Sequence, residues 1–335
     1  MKILGVETSC DDTSAAVVTD GRTVHSCIVS SQNEFHRRFG GVVPEVASRA
    51  HMEVIDAVCA DALERAGVSV DGIDAVAVTN GPGLVGSILV GLGFAKGFAY
   101  ARDLPFLGVN HLEGHIAAAF LDAEEPHFPF TALVVSGGHT HLYEVQDFFT
   151  MKLLGQTVDD AAGEAFDKVA KLLGLDFPGG IAIDRLAREG DERAFDLPRP
   201  MLHSGDLMMS FSGLKTAVRR LVEQAGGPDK LPLADVAASF QAAVVDTLVA
   251  KSAAAMERAE HRRLVICGGV SANSRLRAAA AEACEARGLS LVMPSLAYCT
   301  DNAAMIAGAG YHRLVAGQRS GLDLNSYATL SGAPA

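Results

Sequence analysis

Apolar positions in the first thirty residues follow the pattern of a small antiparallel sheet. Residues 1–7 include the apolar run Ile-Leu-Gly-Val, which is typical of a buried strand. A polar turn over residues 8–14 and a second apolar run over 15–18 predict a hairpin, and residues 24–30 predict a third strand. The polar turn is rich in Ser, Thr and Asp, and such turns can present hydroxyls and backbone amides to a phosphate.

Two helices are predicted to follow this sheet. Pro44 fits the first turn of a helix, where its missing amide proton costs little, and apolar residues then recur on one side as far as Ala66. Residues 73–79 predict a short strand, 80–83 a glycine turn and 84–99 a glycine-spaced helix. Strand, glycine turn and helix in this order are typical of sheets that bind ligands at the carboxyl ends of their strands.

The second half of the chain repeats this plan. Residues 130–135 and 141–145 predict two strands around a polar turn, and residues 264–267 predict a later strand followed by a glycine turn and a helix. The sequence therefore predicts an α/β protein with two duplicated domains and a nucleotide cleft between them. The predicted domains are 1–128, completed by a helical segment at about 302–330, and 129–301, with an insertion at about 150–232.

Composition and charge narrow the class of protein. The chain has 335 residues, of which 49% are hydrophobic and 20% charged, as in a soluble globular protein of two ordinary domains. Its net charge of −12 disfavours a broad electrostatic contact with nucleic acid, although it leaves room for a local basic groove or a basic partner. The six cysteines form no Cys-x-x-Cys pair, which favours a reducing cytosol over a disulfide framework. The longest apolar stretch, 84–95, is too short to cross a bilayer, and Glu7 follows only a short apolar run. We therefore expect a cytoplasmic protein without a signal peptide.

The stretch His-Leu-Glu-Gly-His at 111–115 is the strongest candidate for metal binding. His111 and His115 are four residues apart, so on a helix their imidazoles lie on one face and can bind one divalent ion. A metalloprotease would carry its general-base Glu directly after the first His, and here that position is Leu112. Two histidines leave a metal under-coordinated, so a third ligand must come from elsewhere in the chain. The alternative is two ordinary histidines on a helix face.

Ten short motifs, spread in order along nearly the whole chain, resemble those of one family. They are GVETSCD (5–11), GGVVPE (40–45), GPGL (81–84), HLEGH (111–115), SGGHT (136–140), DDAAGEAFDK (159–168), PGG (178–180), SFSGLKT (210–216), GGVSAN (268–273) and CTDN (299–302). The family is the bacterial TsaD family of tRNA threonylcarbamoyladenosine-modifying proteins, once described as sialoglycoprotein endopeptidases. The chain departs from it at Leu112, where Met is common, and at Ile181, where Pro is common.

The resemblance implies a fold and a metal site. The fold is the actin/Hsp70/sugar-kinase fold with two RNase H-like domains, in agreement with the duplicated plan. The metal would be held by His111, His115 and Asp301, and two imidazoles with one carboxylate suit iron(II), the favoured ion, or zinc. Taken alone, Asp301 could equally be the N-cap of a helix that starts at Asn302.

The resemblance also implies substrate contacts in the second domain. They fall on Val134, Val135, Ser136, Gly137, Gly138, Asp167, Gly180, Asp184 and Asn273. Backbone amides at glycine can approach a phosphate or an adenosine closely, and carboxylates such as Asp167 and Asp184 suit ribose hydroxyls. Without the resemblance, the glycines could be plain tight turns, the carboxylates could lie on a helix surface, and Asn273 could cap the helix after it.

The implied reaction transfers the threonylcarbamoyl group from threonylcarbamoyl-AMP to N6 of adenosine 37 in tRNAs reading ANN codons, and releases AMP. Because the donor is a mixed anhydride with a good leaving group, the protein is expected mainly to hold and orient the reactants. Asp11 is the candidate base or orienter of the attacking amine, with Glu7 and Asp12 as rivals. The implied partners are tRNA, a TsaB-like paralogue that lacks the metal site and a small TsaE-like ATPase, with no membrane partner.

Three further points stay open at the level of sequence. Basic residues that could contact tRNA, or could be solvated helix surface, are Arg37, Arg38, Arg49, Lys215, Arg219 and Arg220. The helices at 44–66 and 84–99 are candidate dimer surfaces, or else are buried within the domain. A sugar or acetate kinase of the same superfold is the alternative function, and it would not need His111 and His115 as ligands. A metalloprotease is less favoured, because it would need an export signal and a water-activating Glu.

Overall fold

The structure is a computed structural model that describes residues 1–122 and 126–329. Its contacts divide the chain into two compact units: unit 1 comprises Met1–Glu125 and Pro294–Ala335, and unit 2 comprises Pro126–Met293. Residues 294–301, which the sequence placed with the second domain, therefore pack with unit 1. The predicted end of the last segment, residue 330, lies outside the described residues.

Unit 1 is built on a mixed sheet. Within the described residues its strands are β1 (Lys2–Glu7), β2 (Asp12–Thr19), β3 (Thr23–Ser31), β4 (Ala75–Gly81) and β5 (Phe106–Asn110). Their order is β3-β2-β1-β4-β5, in which β1, β2 and β3 are antiparallel neighbours while β4 and β5 run parallel to β1. The predicted three-stranded meander is confirmed.

Unit 2 contains a second sheet of the same plan. Its strands, in the part of the chain that the structure describes, are β6 (Phe130–Val135), β7 (Thr140–Val145), β8 (Met151–Gln156), β9 (Arg263–Cys267) and β10 (Ser290–Val292). The order β10-β9-β6-β7-β8 repeats that of unit 1, with an antiparallel meander on one side and parallel strands on the other. This repetition confirms the duplication predicted from the sequence.

Helices cover both sheets. Those of unit 1 are α1 (Asn33–Arg37), α2 (Pro44–Ala66), α3 (Val85–Ala101), α4 (His111–Ala117), α10 (Leu296–Cys299) and α11 (Ala303–Val315). Those of unit 2 are α5 (Ala162–Leu172), α6 (Gly179–Ala187), α7 (Ser212–Ala225), α8 (Leu233–Ala259) and α9 (Ser274–Glu285). Short 3₁₀ turns lie at Val70–Gly72, Ala118–Phe120, Pro228–Lys230 and Gly269–Ala272.

The sheet of unit 1 is buried on both faces. Successive side chains of a strand point to opposite faces, so Leu4 packs into the core beside Ile55 of α2, whereas Ile3 packs into the core beside Ile306 of α11. A strand buried on both faces has no polar face to show, which explains the continuous apolar run in β1. Helix α11, which follows Asp301, therefore packs against the sheet whose strands β1 and β2 are joined by the polar turn.

The core of unit 2 centres on β6 and α8. Leu133 of β6 packs into one cluster with Phe166 of α5 and Phe240 of α8, whose ring centroids are 5.2 Å apart. Among the described residues, α8 is long and apolar enough to span a membrane, but 67% of its apolar window is buried. Such burial is typical of the core helix of a soluble protein.

Three elements of unit 2 differ from the sequence reading. The strands β8 and β10 were not predicted: β8 shows no regular alternation of buried and exposed residues, and β10 has three residues. Residues 178–180, Pro-Gly-Gly, have the composition of a turn, but Pro178 is the N-cap of α6 and Gly179 is its first helical residue. A proline and two glycines are local turn signals, and here a contact from another helix, described below, overrides them.

Candidate metal centre and nucleotide-binding loops

Three predicted ligands meet in unit 1. His111 and His115 lie on α4, and Asp301 lies two residues before α11. The Oδ1 atom of Asp301 is 3.2 Å from Nε2 of His115 and 3.6 Å from Nε2 of His111, and one donor atom from each residue lies within 4.8 Å of the others. Both imidazoles are buried and the carboxylate is partly exposed. Two neutral imidazole nitrogens and a carboxylate oxygen, converging with a side open to solvent, fit a divalent ion with room for a further ligand.

The charges of this cluster perturb its histidines. Burial alone would lower the pKa of His111, but the carboxylates of Asp301 and Glu7 outweigh it and raise that pKa to about 9. Burial lowers the pKa of His115, against a smaller opposing effect of Asp301. A metal cation bound at the two Nε2 atoms would neutralise the negative charge of the same carboxylates that favour protonation of His111.

Glu7 orients His111. Its Oε2 atom lies 3.0 Å from Nδ1 of His111 and accepts a hydrogen bond from Oγ1 of Thr79 at 2.6 Å, and its other oxygen accepts one from the amide of Ser9. The carboxylate is fully buried. When Nδ1 donates to Glu7, Nε2 keeps its lone pair for the ion, which is the usual arrangement behind a metal-bound histidine. Glu7 is therefore committed to the histidine, which argues against its role as the base for a substrate.

The two middle residues of the motif explain why α4 lies so close to α11. Both carboxylate oxygens of Glu113 lie within 2.8 Å of Nη2 of Arg313 on α11. A Cβ atom added to Gly114 would lie 2.6 Å from Cδ1 of Ile306, so glycine permits the close approach of the two helices. Glu113 is thus bound in an ion pair, and the metalloprotease reading loses its last candidate base within the motif.

Contacts from β1 and β2 fix the segment that carries Asp301. The N-cap of α11 is Asn302, whose Oδ1 accepts a hydrogen bond from the amide of Met305 at 3.0 Å. Ser14 accepts a hydrogen bond from the amide of Ala303 at 2.9 Å, and a Cβ atom on Gly5 would collide with the carbonyl of that same residue. Asn302 therefore fills the capping role that the sequence left open for Asp301, and Asp301 is available to face the histidines.

Asp11 and Asp12 lie in the polar turn that leads into β2. Burial, with a further effect of Asp301, raises the pKa of Asp11 against the hydrogen bond from Cys10. Burial, then repulsion by Asp301 and Asp11, raises the pKa of Asp12 to about 7. The Oδ1 atom of Asp12 is buried and accepts no hydrogen bond from any described residue. Asp11 stays a prediction, and Asp12 is a stronger rival than the sequence suggested.

Five of the predicted substrate residues lie at the end of β6 and in the loop that follows it. Val134 and Val135 are buried in the strand, so their backbone and not their side chains would meet a ligand. Ser136 closes the loop, because its amide donates to the carbonyl of His139 at 2.8 Å. Gly137 and Gly138 are exposed, and a Cβ atom on either would meet nothing within 4 Å. The backbone of this loop is therefore uncovered at both glycines, and the approach of a phosphate or adenosine to it stays a prediction.

The other four predicted substrate residues are Asp167 of α5, Gly180 and Asp184 of α6, and Asn273 before α9. Asp167 of α5 accepts a hydrogen bond from the amide of Gly179 at 2.7 Å. Asp184 of α6 accepts hydrogen bonds from the amide and hydroxyl of Ser274 at 3.1 and 2.7 Å. Asn273 is the N-cap of α9, since its Oδ1 accepts from the amide of Leu276 at 3.0 Å. The cap alternative for Asn273 is confirmed, and both carboxylates stabilise helix N-termini. The second oxygen of Asp184 accepts a hydrogen bond from Nη2 of Arg188 at 2.9 Å.

Close backbone contacts hold these helices against the loop. A Cβ atom on Gly163, near the start of α5, would lie 2.5 Å from the carbonyl of Ser136 and 2.8 Å from Cα of Gly137. Gly268, after β9, has φ +93°, and a Cβ atom there would collide with the carbonyl of Val135. Gly163 and Gly268 therefore allow their segments to pack closely against the loop after β6. The spacing of residues in the sequence did not reveal this role.

Two carboxylates, for which the sequence suggested no function, connect the motifs at 159–168 and 210–216 by hydrogen bonds and ion pairs. Asp159 accepts hydrogen bonds from the amide of Phe211 at 2.8 Å and from the hydroxyl of Ser210 at 2.5 Å. Asp160 lies 2.8 Å from Nζ of Lys168 and 3.6 Å from Nζ of Lys215. These contacts fasten α5, which carries Asp167, to the start of α7.

The predicted basic clusters differ in their partners. Arg49 pairs with Glu45 at 2.9 Å, and Arg219 lies 3.6 Å from Glu223. Arg37 and Arg38 are exposed and form no ion pair with any described residue. Both guanidinium groups therefore lie on the surface of unit 1.

The two sheets share one strand order, and unit 1 contains a cluster of candidate metal ligands. Together these features define an actin/Hsp70/sugar-kinase-like protein with a candidate divalent-metal centre. Two solved structures show the same fold at 14% identity. Full-length HypF has a TM-score of 0.60, covering 95% of this chain and 47% of that one. Component A of the Acidaminococcus fermentans (R)-2-hydroxyglutaryl-CoA dehydratase has a TM-score of 0.57, covering 94% and 99%. The predicted fold class is confirmed.

Sequence comparison gives the family. The profile described as "TsaD: tRNA N6-adenosine threonylcarbamoyltransferase" matches residues 23–308. Proteins of that name from Anaeromyxobacter dehalogenans, Geobacter sulfurreducens and Thermodesulfovibrio yellowstonii are 57%, 55% and 53% identical, over 97–98% of this chain and 96–99% of theirs. The chain belongs to the TsaD family, and it is an enzyme of the transferase class. The resemblance read from the ten motifs is confirmed, and the kinase and protease alternatives are not favoured.

Proposed function

We propose that this chain transfers the threonylcarbamoyl group of threonylcarbamoyl-AMP to N6 of adenosine 37 in tRNAs reading ANN codons. The adenosine amine attacks the carbamoyl carbon, the bond from that carbon to the phosphate oxygen breaks, and AMP leaves with the electron pair. The amine loses one proton to a carboxylate. Family membership supports the reaction, and the observation that carries the site is the meeting of His111, His115 and Asp301 in unit 1.

We assign one divalent ion to these three residues, iron(II) first and zinc as the alternative. Held by these residues, such an ion would supply Lewis acidity and help to orient the threonylcarbamoyl group. The chain contributes the geometry: Glu7 sets the tautomer of His111, and Asn302 holds Asp301 at the start of α11. The donor set of two imidazoles and one carboxylate leaves positions for substrate oxygens.

We further propose that residues of unit 2 bind the nucleotide part of the donor. An added Cβ atom on Gly137, Gly138 or Gly180 would meet nothing within 4 Å, so their backbone amides offer hydrogen bonds to phosphate or adenosine without a side chain in the way. Asp167 and Asp184 are already held by amides at helix N-termini, and carboxylate oxygens suit ribose hydroxyls. A site whose carboxylates are held before the ligand arrives loses less entropy on binding.

Asp11 is the proposed proton acceptor, with Asp12 as its rival. Burial raises the pKa of both carboxyl groups toward the range in which a carboxylate takes up a proton near neutral pH. The turn that carries them is fixed, because the Cys10 carbonyl is held by Nε2 of His51 at 3.0 Å and the Asp11 carbonyl accepts from the amide of Gln32 at 3.1 Å.

We further propose that α2 and α3 bind a TsaB-like paralogue and that a small TsaE-like ATPase acts on the assembly in the cytoplasm. Both helices bury one face in unit 1 but expose apolar side chains on the other: Met52 on α2, and Val85 and Leu89 on α3. Gly93 and Gly97 extend this exposed face of α3, and a Cβ atom on either would meet nothing within 4 Å. An open apolar stripe on neighbouring helices suits a partner that presents helices of its own.

Reconstitution tests the function. The chain, its two partners, threonylcarbamoyl-AMP and unmodified tRNA are incubated, and the digested nucleosides are analysed by mass spectrometry. We expect the modified adenosine with the wild-type chain, and neither product nor bound metal with His111→Ala. Absence of the modified nucleoside with every component present would contradict the reaction, and full activity of His111→Ala would contradict the metal site.

A further inference from the structure

A segment without sequence periodicity crosses unit 1 after α11. This strap, residues 318–327, begins along the free edge of β5: the amide of Ser320 donates to the carbonyl of Phe106 at 2.9 Å, and the amide of Gly108 donates to Oγ of Ser320 at 3.0 Å. Because β5 is the last strand in the sheet order, these contacts cover an otherwise unpaired edge.

The strap is then anchored at two points. Nζ of Lys96 on α3 donates to the carbonyl of Leu324 at 2.5 Å, and a Cβ atom added to Gly108 would lie 2.7 Å from Cδ2 of Leu324. Farther on, the amide of Tyr327 donates to the carbonyl of Asn80 at 3.1 Å, and the Tyr327 ring packs against Gly81. Tyr327 is 7% exposed, so its position in unit 1 is well defined by packing.

The hydroxyl of Tyr327 contacts the residue that caps the metal-ligand helix. Nδ2 of Asn110 donates to this hydroxyl at 3.0 Å. Oδ1 of the same amide accepts from the amides of Leu112 and Glu113 at 2.8 and 3.4 Å, so Asn110 is the N-cap of α4. Burial raises the pKa of Tyr327 to about 12, so the hydroxyl stays protonated and neutral. One amide therefore links the strap to the turn that contains His111.

We propose that Tyr327 is a positioning residue for the metal centre: it fixes the side-chain amide of Asn110, which fixes the first turn of α4 and with it His111. This inference rests on the proposed metal site of His111, His115 and Asp301. An isolated helix of seven residues is not stable by itself, so the placement of α4 depends on contacts at its ends and faces. The Glu113–Arg313 ion pair restrains α4 toward α11, and the cap restrains its N-terminus.

The test measures cobalt(II) binding to the purified full-length chain. Tyr327→Phe keeps the ring in its packing place but removes the hydroxyl, and Leu322→Ala, an exposed strap residue, is the matched control. Cobalt Kd is obtained by competition with a chelator, the visible absorption of the cobalt form reports ligand geometry, and the melting of the metal-free chain reports stability. We expect Tyr327→Phe to weaken cobalt binding by about tenfold and to alter the cobalt spectrum, as for other residues behind metal ligands, with little change in melting. Leu322→Ala should match the wild type.

A second substitution separates positioning from stability. Asn110→Ser keeps an N-cap oxygen but cannot reach Tyr327, so it should weaken cobalt binding, and adding Tyr327→Phe to it should cause no further loss. Equal, additive losses from the two substitutions, or a cobalt Kd and spectrum unchanged in Tyr327→Phe, would overturn the inference. If His111→Ala binds cobalt as tightly as the wild type, the proposed metal site itself fails, and that outcome is distinct from a wild-type result in Tyr327→Phe alone.

Discussion

Glu7 accepts a hydrogen bond from Nδ1 of His111 at 3.0 Å while it lies fully buried beneath the metal-ligand helix. A charged carboxylate is costly to bury, so its presence under an imidazole needs a compensating interaction. The hydrogen bond provides one, and it also selects the tautomer that leaves Nε2 for a metal. The motif at 5–11 therefore provides the carboxylate that orients the imidazole of His111, although the two motifs are remote in sequence.

The first prediction follows from this contact. Glu7→Gln keeps the size of the side chain but loses the charge that favours Nδ1–H, so we expect metal affinity to fall by about ten- to a hundredfold. The check is the zinc Kd of the purified chain by chelator competition. Glu34→Gln, at an exposed position of α1, is the control and should bind as the wild type does. Wild-type affinity in Glu7→Gln would show that the buried carboxylate does not act on the metal site.

The second prediction separates two adjacent glycines. A Cβ atom on Gly179 would lie 2.6 Å from Cα of Asp167 and 2.8 Å from the carbonyl of Phe166, whereas one on Gly180 would meet nothing within 4 Å. Gly179→Ala should therefore destabilise the chain by about 1–3 kcal/mol, since backbone atoms must move. Gly180→Ala should melt like the wild type but raise KM for the donor, because the new methyl group enters the space assigned to the nucleotide.

Thermal melting and donor titration check this pair. A normal KM in Gly180→Ala would remove Gly180 from the binding site without affecting the packing argument. Normal melting in Gly179→Ala would contradict the packing argument alone.

Local signals predicted much of the fold, and remote contacts account for most of what was missed. Helix α2 begins at Pro44 and ends before Gly67, which has φ +62°, so both ends carry their own signals in the sequence. Helix α6 escaped prediction because Pro178 and two glycines indicate a turn, while the carboxylate that supports its first amide comes from Asp167 on another helix. Periodicity cannot report a contact between distant segments.

The candidate site shows the same division. The spacing of His111 and His115 was visible in the sequence, but the third ligand came from the family resemblance, because nothing local joins residue 301 to residue 111. The ion pair from Glu113 to Arg313 and the cap of Asn110 with Tyr327 also depend on tertiary contacts. Of these, only the cap had a local signal, an Asn directly before a helix.

The third prediction compares Asp11 with Asp12. If Asp11 takes the proton from the attacking amine, Asp11→Asn should lower kcat by about a hundredfold or more with little change in KM, and Asp12→Asn should have a smaller effect. The opposite ranking would assign the proton to Asp12, whose buried Oδ1 accepts no hydrogen bond from a described residue. Steady-state kinetics at saturating tRNA decide between them, with metal content measured in each variant to exclude an indirect loss.

The fourth prediction concerns tRNA. Arg37→Glu with Arg38→Glu replaces two exposed cations by anions, and we expect tRNA affinity and modification to fall together while the fold is kept. A filter-binding titration at several salt concentrations should show a shallower salt dependence than the wild type. The control is the double variant Lys152→Glu, Lys230→Glu, which changes two exposed residues of unit 2 by the same total charge. Unchanged tRNA affinity in the arginine variant would remove this patch, and equal losses in both variants would indicate a general effect of net charge.

The fifth prediction concerns the exposed face of α2 and α3. Leu89→Glu places a carboxylate at the centre of the proposed contact with the paralogue, where its desolvation would not be repaid, so the heterodimer should be lost. Sedimentation of the purified pair measures the association, and zinc binding to the variant chain alone should be normal because Leu89 is exposed and remote from the metal ligands in sequence. Leu153→Glu is the matched control, a leucine of similar exposure on β8 in unit 2. If Leu89→Glu forms the heterodimer with wild-type affinity, the partner binds another surface. If Leu89→Glu and Leu153→Glu both lose association, the added negative charge weakens binding wherever it is placed.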